Sequence, residues 1–161
     1  MSKEIPSPGE KHYTSTVFLI TEGIPQQVLL VHHKKMDKWM PPGGHQENDE
    51  NAYETAIREV REETGVNITE YLPKPKQIDD RAVSLPLPSY ILEERIDARG
   101  EQPEHFHLDF IYVVTVPHQE VSRQEAESHS IGWFTEEEIG KLPVFENVAI
   151  MINAILNSLE V

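Results

Sequence analysis

Two runs near the start of the chain, HYTSTVFLIT at residues 12–21 and QQVLLVHH at 26–33, are dense in aliphatic and β-branched residues and are split by the turn-forming EGIP. They predict a β-hairpin of scaffold strands. Residues 90–97 and 105–117 alternate apolar and polar positions and are joined through ARGEQPE, predicting a second hairpin. Successive strand side chains point to opposite faces, so Phe106, Leu108, Phe110, Tyr112 and Val114 share one side and His105, His107 and Asp109 the other. SHSIGWFT predicts another short strand, and Thr135 with Glu138 three residues on has the spacing of a capping box that opens a helix. Residues 144–159 predict a terminal helix, with Val148, Met151, Ile152, Ile155 and Leu159 as its core stripe. Between these, 66–71 and 77–79 read as short extended segments and 80–89, with Pro86 and Pro88, as a loop. Residues 1–11 read as a flexible leader, leaving 12–161 as one domain.

The most informative periodicity lies at residues 50–64. Projected onto a helix at about 100° per residue, Tyr53, Ala56, Ile57, Val60 and Thr64 share a core face, while Glu59, Glu62 and Glu63 share another. Like charges one turn apart cost a helix roughly 0.2–0.5 kcal/mol each, so stability alone does not select this arrangement. A hard divalent cation reverses the sign, because Mg²⁺ takes oxygen ligands from a few carboxylates, water and substrate phosphates. Arg58 and Arg61 offer a plainer explanation, a solvated face stitched by ion pairs.

Composition narrows the choices. With 161 residues, 38% hydrophobic and 26% charged, the chain is sized for one globular domain. A formal charge of −14 opposes an extended nucleic-acid surface, so an anionic substrate needs local help from cations. There is no cysteine, which removes disulfides, thiolate metal sites and a cysteine nucleophile. No stretch reads as a signal peptide or membrane span, and a cytoplasmic protein is the expected setting.

What decides between the two explanations of the acid face is the complete spacing. Gly44, five residues, Glu50, seven residues, then Arg58, Glu59, apolar Val60, any residue, Glu62, Glu63, any residue, Gly65 and apolar Val66 resembles the Nudix box at every fixed position. By average residue usage such a match arises by chance at roughly 10⁻⁹ per starting point. Resemblance to the Nudix hydrolases implies an α/β fold, an α/β/α sandwich around a mixed sheet. It also implies Mg²⁺-dependent hydrolysis, with Mn²⁺ as a substitute, of a pyrophosphate bond in a nucleoside diphosphate linked to another group. Carried over residue by residue, it makes the Gly44 carbonyl, Glu59, Glu62 and Glu63 candidate metal ligands. Glu62 is also a candidate general base, Arg58 orients the carboxylates, and Glu50 braces the turn or helix start. Glu127, six residues before Trp133, resembles an additional catalytic or metal-binding glutamate of such enzymes, with Glu125 as its rival.

Substrate contacts are less sharply marked. Lys34, Lys35 and Lys38 form a basic patch just before the box, of which Lys38 is a candidate phosphate contact, and Arg81 in the proline-bearing loop is another. His105, His107 and Asp109 fit the polar outer face of a sheet, a substrate pocket in which His107 takes part, or a transition-metal site. The expected partner is a small nucleotide-type diphosphate, and a homodimer is allowed. The alternative function is a catalytically silent Nudix-fold module that binds nucleotides or regulates, although such modules usually lose box residues and none is lost here. The familiar isoprenoid-diphosphate isomerases of this fold rely on a cysteine that this chain lacks.

Overall fold

The protein is described here by a computed structural model covering residues 5–161. In chain order its elements are β1 (Lys11–Thr21), β2 (Gln27–His33), β3 (Lys38–Met40), β4 (Gly43–His45), α1 (Ala52–Thr64), β5 (Lys76–Gln77), β6 (Val83–Ser84), β7 (Tyr90–Ile96), β8 (His105–Val116), β9 (Ser128–Thr135), α2 (Glu136–Ile139) and α3 (Glu146–Leu156). The expected hairpins β1–β2 and β7–β8 both form, each antiparallel. What makes the sheet mixed is β8, which runs parallel to β1 along its full length. On β1, β4 pairs at residues 14–16 and β2 pairs at Ile20, while β9 pairs with β2.

The continuous VFLI run of β1 follows from this topology, because a strand covered on both faces has no need of polar alternation. Val17 and Leu19 point into the layer under α1, with Leu29, Tyr53, Ala56, Val60, Tyr112 and Val114. Phe18 and Ile20 point into the opposite layer, with Leu30, Ile111, Ile139, Met151 and Ile152. The result is the expected α/β/α sandwich. Leu29 and Leu30 are 0% exposed, and each such side chain contributes about 1.5–3 kcal/mol of burial. No helix among the described residues is long and apolar enough to cross a membrane.

Several local expectations change. Residues 66–71 do not form a strand: the Asn67 side chain accepts the Thr69 N–H at 3.1 Å and Tyr71 N–H bonds the Ile68 carbonyl. A side-chain-closed turn thus competes successfully with extension. Residues 83–84 of the expected loop pair with 76–77, around a turn in which Asp79 Oδ1 accepts the N–H groups of Arg81 and Ala82 at 2.9 Å each. The terminal helix is shorter than its stripe suggested. It ends at Leu156, Ser158 adopts φ 52°, and Leu159 is 52% exposed rather than in the core. Of the leader, residues 1–4 lie outside the described residues. Residues 7–10 form a turn that bonds the Glu104 carbonyl through Gly9 N–H at 2.9 Å.

Candidate active site

Helix α1 is fixed at both ends by local chemistry. Asn51 caps its start, accepting Glu54 N–H at 3.0 Å, while the Glu54 carboxylate accepts Asn51 N–H at 2.9 Å. The helix therefore begins one residue after Asn51, with Glu50 outside it, and N-x-x-E at residues 51–54 is its capping signal in the sequence. At the other end Gly65 takes φ 75°, the left-handed cap that glycine adopts without steric cost. Ser15 Oγ donates to the Ala52 carbonyl at 2.7 Å, tying the helix start to β1 beside β4.

The consequence is that Arg58 lies among carboxylates and spends its whole donor set on them and one carbonyl. Nε and Nη2 reach Glu50 at 2.6 and 3.0 Å, Nη1 reaches Glu59 at 2.9 Å and Glu62 at 3.3 Å, and Nη2 also donates to the His45 carbonyl at 3.0 Å. A guanidinium has five N–H donors in a rigid plane, so this network fixes three side chains and β4 at once. The Arg58 hydrogen bonds, against a smaller opposing effect of burial, hold the Glu50 carboxyl below its ordinary pKa. Hydrogen bonding to Glu50 in turn raises the Arg58 pKa. Glu50 is thereby a brace, as the sequence implied; it also accepts the Thr55 hydroxyl at 3.0 Å.

The acid face is not uniformly exposed. The Glu59 side chain is 13% exposed and that of Glu62 48%, while Glu63 as a residue is 6% exposed and counts with the buried side of α1. Glu63 is covered where α1 docks against β4, its carboxylate accepting the Gly43 N–H at 3.2 Å. Three carboxylates, Glu50, Glu59 and Glu62, bond one guanidinium, and Glu63 accepts the Gly43 N–H beside them, so the cluster keeps an excess of negative charge. Gly44 makes it compact, since a Cβ there would stand 2.2 Å from Glu59 Oε1. Hard oxygen donors, partly desolvated and closely packed, fit Mg²⁺ or Mn²⁺.

The β4 register settles which backbone groups join them. Gln46 N–H donates to the Tyr13 carbonyl, Val17 N–H donates to the Pro42 carbonyl, and Ser15 lies opposite Gly44. In an antiparallel ladder, residues that bond across it alternate with residues whose peptide groups turn away. The groups of Gly44 thus face β1, and those of Gly43 and His45 face the open edge. Gly43 N–H donates there to Glu63 Oε2 at 3.2 Å. The carbonyl turned toward the carboxylates is that of Gly43, one residue before the expected Gly44.

The other candidates take no part in the Arg58 network. Lys38 Nζ sits 5.9 Å from the Phe145 ring, against the α3 layer, and Lys34 Nζ donates to the Glu125 carbonyl. Arg81 is exposed on the β5–β6 turn. Glu127 is exposed, and its carbonyl accepts the N–H of Lys34, the residue after β2, at 2.8 Å. His107 lies on the sheet face opposite α1 and opposite His12 in the β1–β8 register. That face is not a polar outer surface, since His105 is 1% and Asp109 3% exposed.

Comparison with known proteins bears on this arrangement. Residues 11–153 match the NUDIX domain family. A Bacillus subtilis (strain 168) protein named "Putative 8-oxo-dGTP diphosphatase" is 46% identical over 55 residues, 34% of this chain and 37% of that protein. The m7GpppN-mRNA hydrolase of Xenopus laevis is 37% identical over 59 residues, 34% of this chain and 20% of its own length. These relatives are thus matched over well under half of their lengths. The crystal structure of a NUDIX-family hydrolase from Clostridium perfringens superposes with a TM-score of 0.69 at 29% identity, covering 92% of this chain and 98% of that one. With the box residues gathered as they are around Arg58, and the family match running from β1 into α3, the chain belongs to the Nudix hydrolase family.

Proposed function

We propose that the protein hydrolyses a pyrophosphate bond in a nucleoside diphosphate linked to another group, using Mg²⁺ or Mn²⁺ held on the acid face of α1. The observation that carries this reading is the Arg58 network, which holds Glu59 and Glu62, with Glu59 packed against Gly44, while the buried Glu63 bonds Gly43. Glu59, Glu63 and the Gly43 carbonyl are the proposed ligands. Glu62, the most exposed of the three acids, is the further ligand or the base that takes the proton of the attacking water. The bound cation supplies charge neutralisation at the diphosphate oxygens and lowers the cost of water attack at phosphorus. Arg58 is a positioning residue, its donors being committed to protein groups. The names of the curated relatives, which specify an 8-oxo-dGTP diphosphatase and an m7GpppN-mRNA hydrolase, support a nucleotide phosphate chain as substrate. Lys38, Arg81 and Glu127 carry no part of this reading.

The test is product formation from a panel of nucleoside diphosphate derivatives with Mg²⁺ or Mn²⁺, with and without chelator. Turnover that stops on chelation is expected. Binding without turnover across the panel would instead identify the silent module and end the hydrolytic reading.

A further inference from the structure

Half of the chain's 8 histidines converge on the sheet face opposite α1. Three strands deliver them: β1 brings His12, β4 brings His45, and β8 brings His105 and His107. The ring centroids of His12 and His45 are 5.4 Å apart, those of His45 and His107 4.8 Å, and those of His105 and both His12 and His107 5.4 and 5.2 Å. One ligand nitrogen from each of His12, His45 and His107 lies within 4.8 Å of the other two. The register explains the convergence. His12 is opposite His107 across the parallel β1–β8 pair, and His45 is opposite Thr14 across β4–β1, so all three fall on one face of three neighbouring strands.

From this geometry we propose that His12, His45 and His107 form a site for a transition-metal dication of the Zn²⁺ class, separate from the carboxylate site on α1. Imidazole nitrogens are borderline-soft donors that suit Zn²⁺, Co²⁺, Ni²⁺ or Cu²⁺ and discriminate against Mg²⁺. In a tetrahedral zinc site, ligand nitrogens about 2.0–2.1 Å from the metal are roughly 3.3 Å from one another. The separations here, up to 4.8 Å, lie above that value, and the proposal requires the imidazoles to rotate inward when the ion binds. His105 is a positioning residue: its Nδ1 is occupied by the Pro103 carbonyl at 3.0 Å and its ring packs against two of the ligands. Glu10 Oε1, 3.4 Å from His12 Nε2, places a negative charge beside the site. Three protein ligands leave a fourth position for water.

The two sites share β4. His45 presents its ring to the imidazole face and its carbonyl to Arg58 at 3.0 Å on the carboxylate side. An ion on the histidines therefore anchors the strand against which Glu59 and Glu63 pack.

The experiment uses untagged protein stripped by chelator, with Mg²⁺ in excess so that the carboxylate face is saturated. Zn²⁺ is titrated in competition with a chromophoric chelator, and Co²⁺ is followed by its visible absorbance. One equivalent of Zn²⁺ with Kd below about 1 μM is expected, weakened at least about 100-fold by His12→Ala with His107→Ala and unchanged by Glu59→Gln. No uptake, uptake indifferent to the histidine substitutions, or uptake lost with Glu59→Gln overturns the proposal. Should the double variant fail to fold, X-ray absorption of the Zn²⁺-loaded wild type decides, since imidazole scattering supports the site and an all-oxygen shell refutes it. No turnover is measured, so the outcome is independent of the hydrolytic reading.

Discussion

The two sides of β4 carry different chemistry built by different means. Toward α1, Glu50, Glu59 and Glu62 are gathered around Arg58 and Glu63 bonds Gly43. Away from α1, His12, His45 and His107 meet on strands β1, β4 and β8. The first cluster is almost wholly local, its members set by the pitch of one helix and the turn before it. The second exists only because three strands pair in one register. Hard oxygens on one side and imidazoles on the other prefer different classes of cation, so the two proposed sites would not compete for one ion.

The largest expected effect breaks the symmetry of that comparison. Glu59→Gln and Glu63→Gln should each lower turnover of an identified substrate by about 10³-fold, equivalent to about 4 kcal/mol, with the fold intact by circular dichroism. Near wild-type rates at saturating Mg²⁺ would remove the residue concerned from the site.

The two glycines of β4 sharpen the contrast, because adjacent positions point to opposite faces. A Cβ on Gly43 meets backbone, the Ser15 carbonyl oxygen at 2.5 Å and Thr16 Cα at 2.9 Å. Gly43→Ala is therefore expected to cost about 2–3 kcal/mol of stability through overpacking, read by urea denaturation. A Cβ on Gly44 instead meets the end of a flexible side chain, Glu59. Gly44→Ala should leave stability within about 1 kcal/mol while lowering turnover about 10-fold by displacing that carboxylate. Equal behaviour of the two variants would contradict the register argument.

The smallest effect belongs to the histidine face, where Glu94 lies opposite His107 in the β7–β8 register. Burial, then the nearby Asp109, push its carboxyl up to about 7, against a hydrogen bond from Asn147. Native protein thus holds a proton that unfolded chain releases near pH 4.5, so this group's contribution to stability falls as pH rises from about 4.5 through about 7. In metal-free protein, Glu94→Gln should be more stable than wild type by about 1–2 kcal/mol at pH 8, with the difference vanishing near pH 4. Urea denaturation at both values checks it, and a pH-independent difference would mean that charging of Glu94 is not its origin.

Residues differ in how far their neighbours in the chain foretold their place. Both hairpins, the capping box that opens α2 at Thr135, and the acid face of α1 were legible, because each depends on contacts within a few residues. Leu159 misled because helical spacing continues past the point where the chain leaves the helix. The burial of Glu63 was not legible because its covering comes from β4, which no helical projection includes. The box pointed to the Gly44 carbonyl, but which carbonyl of β4 faces the carboxylates depends on pairing with Ser15, far away in the chain.

The order of residues alone determined the family, the sandwich and the local carboxylate motif, because the pitch of a helix and the alternation of a strand are properties of short stretches. Only the tertiary structure decided that Gly43 rather than Gly44 turns its peptide group to the acids, and that His12, His45 and His107 share one face. Both are consequences of strand register. A shift of one residue would reverse every side chain and peptide on β4, and the partners that hold the register lie far away in the chain.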